Sequence, residues 1–217
     1  MKRNILEGII TGFLALGGVS CNTQPLLTGG TGSELTGKAC YSQEPAPDPV
    51  PNARVYVLDE AYLADTSSSI QTQWTVKTDE KGAFHAGGLS AGTYIVEIVD
   101  SSGHSIATRA VLHDRETVSL GTLIVTAPGA IKIPFKRPLP EDNNPQWYVR
   151  VYGTRLVSRG ALDSSGMLIG NIPTGIALSI NLFIPGLVPI NLDFNGIWVT
   201  PDSINILPAL LLNGPSP

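Results

Sequence analysis

The sequence has little charge, few cysteines and few histidines. Only 15% of its 217 residues are charged and the formal net charge is -4, so it lacks the basic excess that nucleic-acid phosphates require. Its two cysteines and three histidines show none of the spacings of a metal-binding motif. We therefore predict no nucleic-acid partner, no metal site and no cofactor.

Long helical periodicity is also missing, and turn residues take its place. The chain has 23 glycines and 17 prolines, while 42% of its residues are apolar, which is typical of a turn-rich protein with a substantial core. Short runs in which apolar and polar residues alternate are separated by turn clusters, as in "IQTQWTVK" at 70–77. The letters "DSSG" at 100–103 indicate a hairpin turn. This pattern predicts an all-β sandwich or barrel.

The N-terminus carries an apolar run behind two basic residues. Lys2 and Arg3 precede apolar residues at 8–18, and small residues follow up to Cys21. The run is about a dozen residues long, shorter than the ~20 that a transmembrane helix needs. We interpret residues 1–20 as an export signal peptide.

This segment resembles the signal peptides of bacterial lipoproteins, in which a cysteine after small residues becomes lipidated. The resemblance implies a lipid on Cys21, and Asn22 after it favours the outer over the inner membrane. Residues 21–34, rich in glycine and threonine, are expected to form a flexible linker with a reach of roughly 20 Å. The alternative is ordinary cleavage, after which Cys21 and Cys40 pair as a disulfide. An unpaired Cys40 is expected to be a buried strand residue.

The rest of the chain contains an internal duplication. The tripeptide Arg-Val-Tyr at 54–56 occurs again at 150–152. The segment "TDEKGAFHAGGLSAGTYIVEI" recurs in similar form as "LDSSGMLIGNIPTGIALSINL". A boundary near Ala127 divides the chain into a first module, 35–127, and a second, degenerate module, 128–217.

The repeated turns resemble those of carboxypeptidase regulatory-like domains, whose pattern is T-D-x-x-G-x-F followed by L-x-x-G-x-Y. The first copy has all of these residues: Thr78, Asp79, Gly82, Phe84, Leu89, Gly92 and Tyr94. The resemblance implies two tandem transthyretin-like (Greek-key) β-sandwiches. It gives a structural turn role to six residues, namely Asp79, Gly82, Gly92, Asp163, Gly166 and Gly175. Gly92 and Gly175 are expected where the backbone needs the freedom of glycine.

In metallocarboxypeptidases this domain accompanies the catalytic domain and holds no catalytic residue, so the resemblance implies that the chain is not an enzyme. We predict a lipid-anchored envelope or cell-surface protein that serves as a structural or protein-binding module. Its expected partners are the membrane, through the anchor, and other envelope proteins. The alternative is a carbohydrate-binding accessory of a surface polysaccharide-handling system, because some proteins of this fold group bind glycans.

Ser90 lies in a match to the G-x-S-x-G pattern of serine hydrolases, at 88–92. A nucleophile elbow of this kind needs a helix directly after the serine. The residues that follow, "TYIVEIV", are instead typical of a strand. We therefore interpret this segment as a turn, and the hydrolase alternative predicts a histidine within hydrogen-bond reach of Ser90.

Tyrosine and arginine recur on the face of a strand opposite the apolar residues. Trp147 shares parity with Val149 and Val151, and we expect it in the core. A candidate ligand or partner face is predicted from the outward positions of Arg54, Tyr56, Tyr148, Arg150 and Tyr152. The alternative is a ladder of aromatic and cationic residues without a ligand. A carbohydrate site requires exposed, coplanar rings near Tyr148 and Tyr152.

The second module is unusually apolar. It has no lysine or arginine after Arg159, and two apolar runs, at 180–192 and 204–212, follow. We expect these runs to be buried between the modules. The alternative is an exposed patch for a partner or a membrane.

Overall fold

The structure is a computed structural model that describes residues 32–44, 46–64, 74–134, 146–161, 166–184 and 190–210. Within these ranges the chain forms fifteen β-strands, and no described segment is a helix that could cross a membrane. The predicted signal peptide, Cys21 and Asp163 lie outside the described residues. The all-β fold class is confirmed.

The first sandwich is built from two sheets. Its strands are β1 (Ser33–Ser42), β2 (Asp48–Pro49), β3 (Arg54–Asp59), β4 (Trp74–Lys77), β5 (Ala83–Leu89), β6 (Gly92–Val99), β7 (Ser105–Leu112) and β8 (Thr117–Ile124). One sheet has the order β2-β1-β5, with β8 parallel to β1, and the other has the order β4-β3-β6-β7. The predicted hairpin turn at 100–103 joins β6 to β7, which pair antiparallel.

The second sandwich has the same plan. Its strands are β9 (Gly129–Ile133), β10 (Gln146–Val151), β11 (Val157–Ala161), β12 (Met167–Ile172), β13 (Leu178–Ile184), β14 (Ile190–Ile197) and β15 (Ile204–Ile206). They form sheets of order β11-β10-β13-β14 and β12-β9-β15. The strand order of its four-stranded sheet corresponds to that of β4-β3-β6-β7 in the first sandwich. In addition, β9 runs parallel to β15, as β1 runs parallel to β8. The repeated topology supports the internal duplication.

Each sandwich has its own hydrophobic core. The first core takes buried residues from Leu35 to Val125, and the second from Ile131 to Val199. Trp147, Val149 and Val151 all lie in the second core, as their parity predicts. Full burial of one such aliphatic side chain is worth ~1.5–3 kcal/mol, so the alternation along each strand stabilises both sheets.

The turn before β5 shows why the repeated aspartate and glycine occur together. The Asp79 carboxylate accepts hydrogen bonds from the amides of Lys81 and Ala83, at 2.8 Å each. Gly82 has φ = +75°, and a Cβ there would overlap the carbonyl oxygen of Ala39 in β1. Gly166, its counterpart before β12, has φ = +87° and lies against β9 in the same way. Both copies thus need glycine here for conformation and for space.

Two expectations need correction. Gly92 begins β6 without a positive φ, and a Cβ there would make only ordinary contacts. The residue of this turn with a left-handed backbone is Gly88, at φ = +78°. Gly175, unlike Gly92, has φ = +105°. Of the apolar run at 180–192, Ile180, Leu182 and Ile184 lie in the core of the second sandwich rather than in an interface, Leu192 is exposed, and residues 185–189 lie outside the described ranges. Ile206 of the last run is 71% exposed.

Candidate functional site

The second sandwich packs against the outer face of β3 and β6, whereas Lys77 of β4 and Arg109 of β7 remain exposed. The Ala107 amide donates to the Thr174 carbonyl at 2.7 Å, and the Gly153 amide donates to the Tyr62 carbonyl at 2.8 Å. Ile95 on this face is buried although it points away from the first core. The alternation of apolar and polar residues places this side of β3 and β6 in solvent, but in the structure it forms the junction between the two sandwiches.

A buried ion pair lies at the centre of this junction. Glu97 is only 3% exposed, and its Oε1 lies 3.5 Å from Nε of Arg155, while its Oε2 accepts the Arg155 backbone amide at 3.3 Å. The Arg155 guanidinium also lies over the ring of Tyr56, 4.7 Å from its centroid. Burial raises the pKa of Glu97, and Arg155 opposes that rise by stabilising the carboxylate.

A cleft with an excess of cations opens beside this ion pair. It measures about 440 Å³, and we call it the basic cleft; it is lined by Asn52, Arg54, Tyr56, Lys77, Val99, Asp100, Ser101 and Arg155. Arg54 and Lys77 are direct partners across β3 and β4, so their side chains leave the same face of the sheet. Within the described part of the chain, neither forms an ion pair. The basic cleft thus presents two cations that are available to a ligand.

The one carboxylate in the lining, Asp100, already accepts several hydrogen bonds. Asp100 accepts hydrogen bonds from the Tyr41 hydroxyl at 2.7 Å and from the amides of Ser102 and His104, at 2.8 and 2.9 Å. Burial opposes ionisation of Asp100, but these hydrogen bonds outweigh it and lower its pKa. The same bond raises the pKa of Tyr41 to about 12. Asp100 therefore organises the β6–β7 turn and forms no ion pair with Arg54 or Lys77, although its carboxylate reduces the net positive charge of the cleft.

A second cleft, of about 450 Å³, opens elsewhere along the junction and has the opposite charge. Its acids are Asp59 and Glu60 from the first sandwich and Asp193 from the second. The Tyr152 hydroxyl donates to Asp193 at 3.1 Å, and burial together with Asp193 raises the pKa of Tyr152. Glu60 is partly neutralised by Arg109, at 2.9 Å.

The five residues predicted to share one face are divided between the two sandwiches, with two on β3 and three on the outer face along β10. Arg54 and Tyr56 line the basic cleft, and Tyr152 lines the acidic one. Tyr148 and Arg150 lie on the outer face of β10, where Tyr148 packs on Phe183 with their ring planes tilted by 36°. These five residues therefore form neither a single continuous face nor a flat platform of coplanar rings. The reason is that β3 and β10 belong to different sandwiches.

The site also contains Lys77, Glu97 and Arg155. The sequence criterion, outward tyrosines and arginines on alternating strand positions, did not identify them. A signal for Glu97 was present, since a carboxylate in the middle of "TYIVEIV" needs a buried partner. Its partner, Arg155, follows the repeated Arg-Val-Tyr tripeptide by three residues and carried no such signal.

Ser90 lies exposed in the connection between β5 and β6, which belong to different sheets. Its carbonyl accepts the Tyr94 hydroxyl at 3.0 Å, and a strand follows it where a nucleophile elbow needs a helix. Among the described residues, none forms a hydrogen bond with the Ser90 hydroxyl. The Ser90 segment is thus a turn.

Two of the histidines each lie beside one carboxylate. His85 lies 3.4 Å from Glu34, and His104 Nδ1 lies 3.2 Å from Asp100. Over the described ranges, no three histidine, cysteine or acidic side chains are grouped as metal ligands. Cys40 is fully buried in β1.

No protein-family model and no curated protein matches the chain. Similar solved structures include a streptococcal ancillary pilin, at 12% identity over 82% of this chain and 61% of that one, with a TM-score of 0.33. The minor pilin GBS52 of Streptococcus agalactiae has 13% identity, covers 85% and 98%, and has a TM-score of 0.35. A DUF3823 family protein of Bacteroides uniformis has 11% identity, covers 74% and 98%, and has a TM-score of 0.30. This chain spans less than two thirds of the ancillary pilin, and similarity at these values carries no functional argument.

Proposed function

We propose that the protein is a non-catalytic, protein-binding module of the cell envelope, composed of modules 35–127 and 128–217. The observation that carries this proposal is the basic cleft, where Arg54 and Lys77 extend from neighbouring strands without a described acidic partner. Lysine and arginine side chains that lack a partner at a junction are available to a charged ligand. Both side chains extend from paired strands of the first sandwich, and Arg155 of the second sandwich lines the same cleft.

The proposed location is the outer membrane, through a lipid on Cys21. This part of the proposal rests on the signal peptide features at 1–20 and on the linker composition at 21–34. Each buried methylene of an acyl chain contributes ~0.8 kcal/mol, so two or more chains on Cys21 suffice for stable anchoring. Cys40 is fully buried in β1, as is common for an unpaired strand cysteine.

The mass of the mature N-terminus tests the anchor directly. We expect a chain that begins at Cys21 and carries acyl groups, and we expect Cys21→Ser to move the protein from the membrane fraction to the soluble fraction. Cys40→Ser is the matched control and should leave the distribution unchanged. A mature chain with a Cys21–Cys40 disulfide and no acyl group would contradict the proposed anchor.

Partner binding is tested by cross-linking in the intact envelope, followed by purification of the full chain. We expect a defined envelope protein to be cross-linked at a probe placed next to the basic cleft, for example at Asn52, and not at a probe at exposed Leu168. Absence of any cross-linked protein at either position would contradict the binding function.

The carbohydrate alternative has less support. Sugar-binding surfaces use exposed aromatic faces, and Trp198, which is 64% exposed, offers one. The predicted tyrosines offer no flat platform, because Tyr148 and Phe183 are tilted against each other and Tyr56 is covered by Arg155. We therefore place a protein ligand ahead of a polysaccharide.

A further inference from the structure

We infer that the basic cleft binds an acidic, extended segment of a partner protein, in which carboxylate side chains alternate with other residues. This inference depends on the proposed function, because it names the ligand of the same site. It follows from the charges that line the cleft, from their spacing and from the groups that remain available.

The charges favour carboxylates. A guanidinium presents paired N–H groups that match the two oxygens of a carboxylate, and an ammonium adds a compact second charge. Arg54 and Lys77 are directly opposite each other on β3 and β4, where Cβ atoms lie ~4.5–5.5 Å apart. Both cations can therefore approach one carboxylate.

The spacing favours an extended peptide. Tyr56 follows Arg54 by two residues on the same face of β3, and the Arg155 guanidinium lies over the Tyr56 ring. Two residues of a strand span ~6.6 Å, so the backbone of Tyr56, whose ring carries the third cation, lies one alternate-residue step from that of Arg54. Carboxylates at positions i and i+2 of an extended peptide have this same separation.

The acids in the described part of the chain leave Arg54 and Lys77 without an ion-pair partner, whereas the charge of Arg155 is shared with Glu97. Glu97 contacts Arg155 from the buried side of the junction, and Asp100 is held by Tyr41 and by the amides of its own turn. The other polar groups in the lining, Asn52 and Ser101, can bond to a peptide backbone.

Fluorescence anisotropy with labelled peptides tests the inference on the full chain. The probe is the alternating peptide Glu-Val-Glu-Val-Glu, and its control is Gln-Val-Gln-Val-Gln. We expect only the acidic peptide to bind, and we expect its affinity to fall as salt shortens the screening length from ~10 Å at 0.1 M to ~3 Å at 1 M. Equal binding of both peptides, or no binding of either, would overturn the inference.

Variants locate the site. Arg54→Gln and Lys77→Gln should each weaken binding about tenfold or more, since each removes hydrogen bonds to a charged group. Arg159→Gln, an exposed cation on β11, is the matched control and should leave affinity unchanged. Circular dichroism checks that each variant is folded. Unchanged affinity in folded Arg54→Gln and Lys77→Gln would overturn the inference.

Two further outcomes separate this inference from the proposed function. If polygalacturonate displaces the labelled peptide at a lower carboxylate concentration than the unlabelled peptide does, the ligand is an acidic polysaccharide and the peptide assignment is wrong. If the envelope cross-link at Asn52 persists unchanged in Arg54→Gln and Lys77→Gln, the binding function holds but the acidic ligand does not.

Discussion

Asp100 shows how one carboxylate can determine the conformation of a turn. It accepts hydrogen bonds from Tyr41, Ser102 and His104, and these bonds hold its pKa below the ordinary value of 3.8. A carboxyl group with a lowered pKa in the folded state contributes stability that is present above its unfolded pKa. This contribution is lost as the pH falls through the folded pKa.

We therefore expect Asp100→Asn to lower the free energy of unfolding by ~1–2 kcal/mol at pH 7, since hydrogen bonds to a charge are replaced by neutral ones. Because the contribution of Asp100 is lost as the pH falls through its lowered pKa, the difference between variant and wild type should shrink as the pH is lowered below about 4. Urea unfolding at several pH values measures this. A difference independent of pH would show that the Asp100 charge is not the cause.

Gly82 allows a prediction with an internal control. Gly82→Ala should cost ~2–5 kcal/mol, because alanine is strained at φ = +75° and its Cβ meets the Ala39 carbonyl. Gly103→Ala has φ = +88° but no atom within 4 Å, so it should cost only ~1–2 kcal/mol. Thermal unfolding compares the two variants. Equal losses would mean that close packing against β1 plays no part.

At the scale of the strand, side-chain direction decides what a substitution costs. Ile169 of β12 is fully buried in the second core, whereas Ile206 of β15 is 71% exposed. Both isoleucines lie in apolar segments of the sequence and in the same three-stranded sheet. They differ in the side of the sheet to which the side chain points. Sequence alone assigned the second segment to a buried position because it is strongly apolar, with Asn205 as the one polar residue at 204–212.

We expect Ile169→Ala to destabilise the protein by ~2–5 kcal/mol through the cavity it leaves. Ile206→Ala should change the free energy of unfolding by less than ~0.5 kcal/mol. Chemical denaturation of both variants distinguishes them. A loss at Ile206 as large as that at Ile169 would indicate that the exposed face of β15 is covered in solution.

For the whole molecule, the important feature is that two separate cores meet through a polar junction. Glu97 and Arg155 connect the sandwiches there, and desolvation makes such a pair costly to split. Removing one partner leaves the other charge without compensation. Replacing both with neutral groups removes that penalty.

Arg155→Met should therefore cost ~1–3 kcal/mol, less than for a fully buried pair because Arg155 is 34% exposed. Glu97→Gln should cost less, since the Arg155 side chain that remains can be hydrated. The double variant should recover part of the Arg155→Met loss, and a double-mutant cycle on the free energy of unfolding measures the coupling. Additive losses would show that the pair does not couple the sandwiches.

The sequence by itself determined the repeat, the alternation of the strands and the T-D-x-x-G turns, because these depend on residues close together in the chain. The Asp79 turn and the inward position of Trp147 follow from such local rules. The tertiary structure decided which outward faces remain exposed. Glu97 and Arg155 are 58 residues apart, and only the packing of one sandwich on the other brings them together. That packing covers the outward face of β6 and joins Arg54 and Lys77 to Arg155 in one cleft, because each side of the junction comes from a different sandwich.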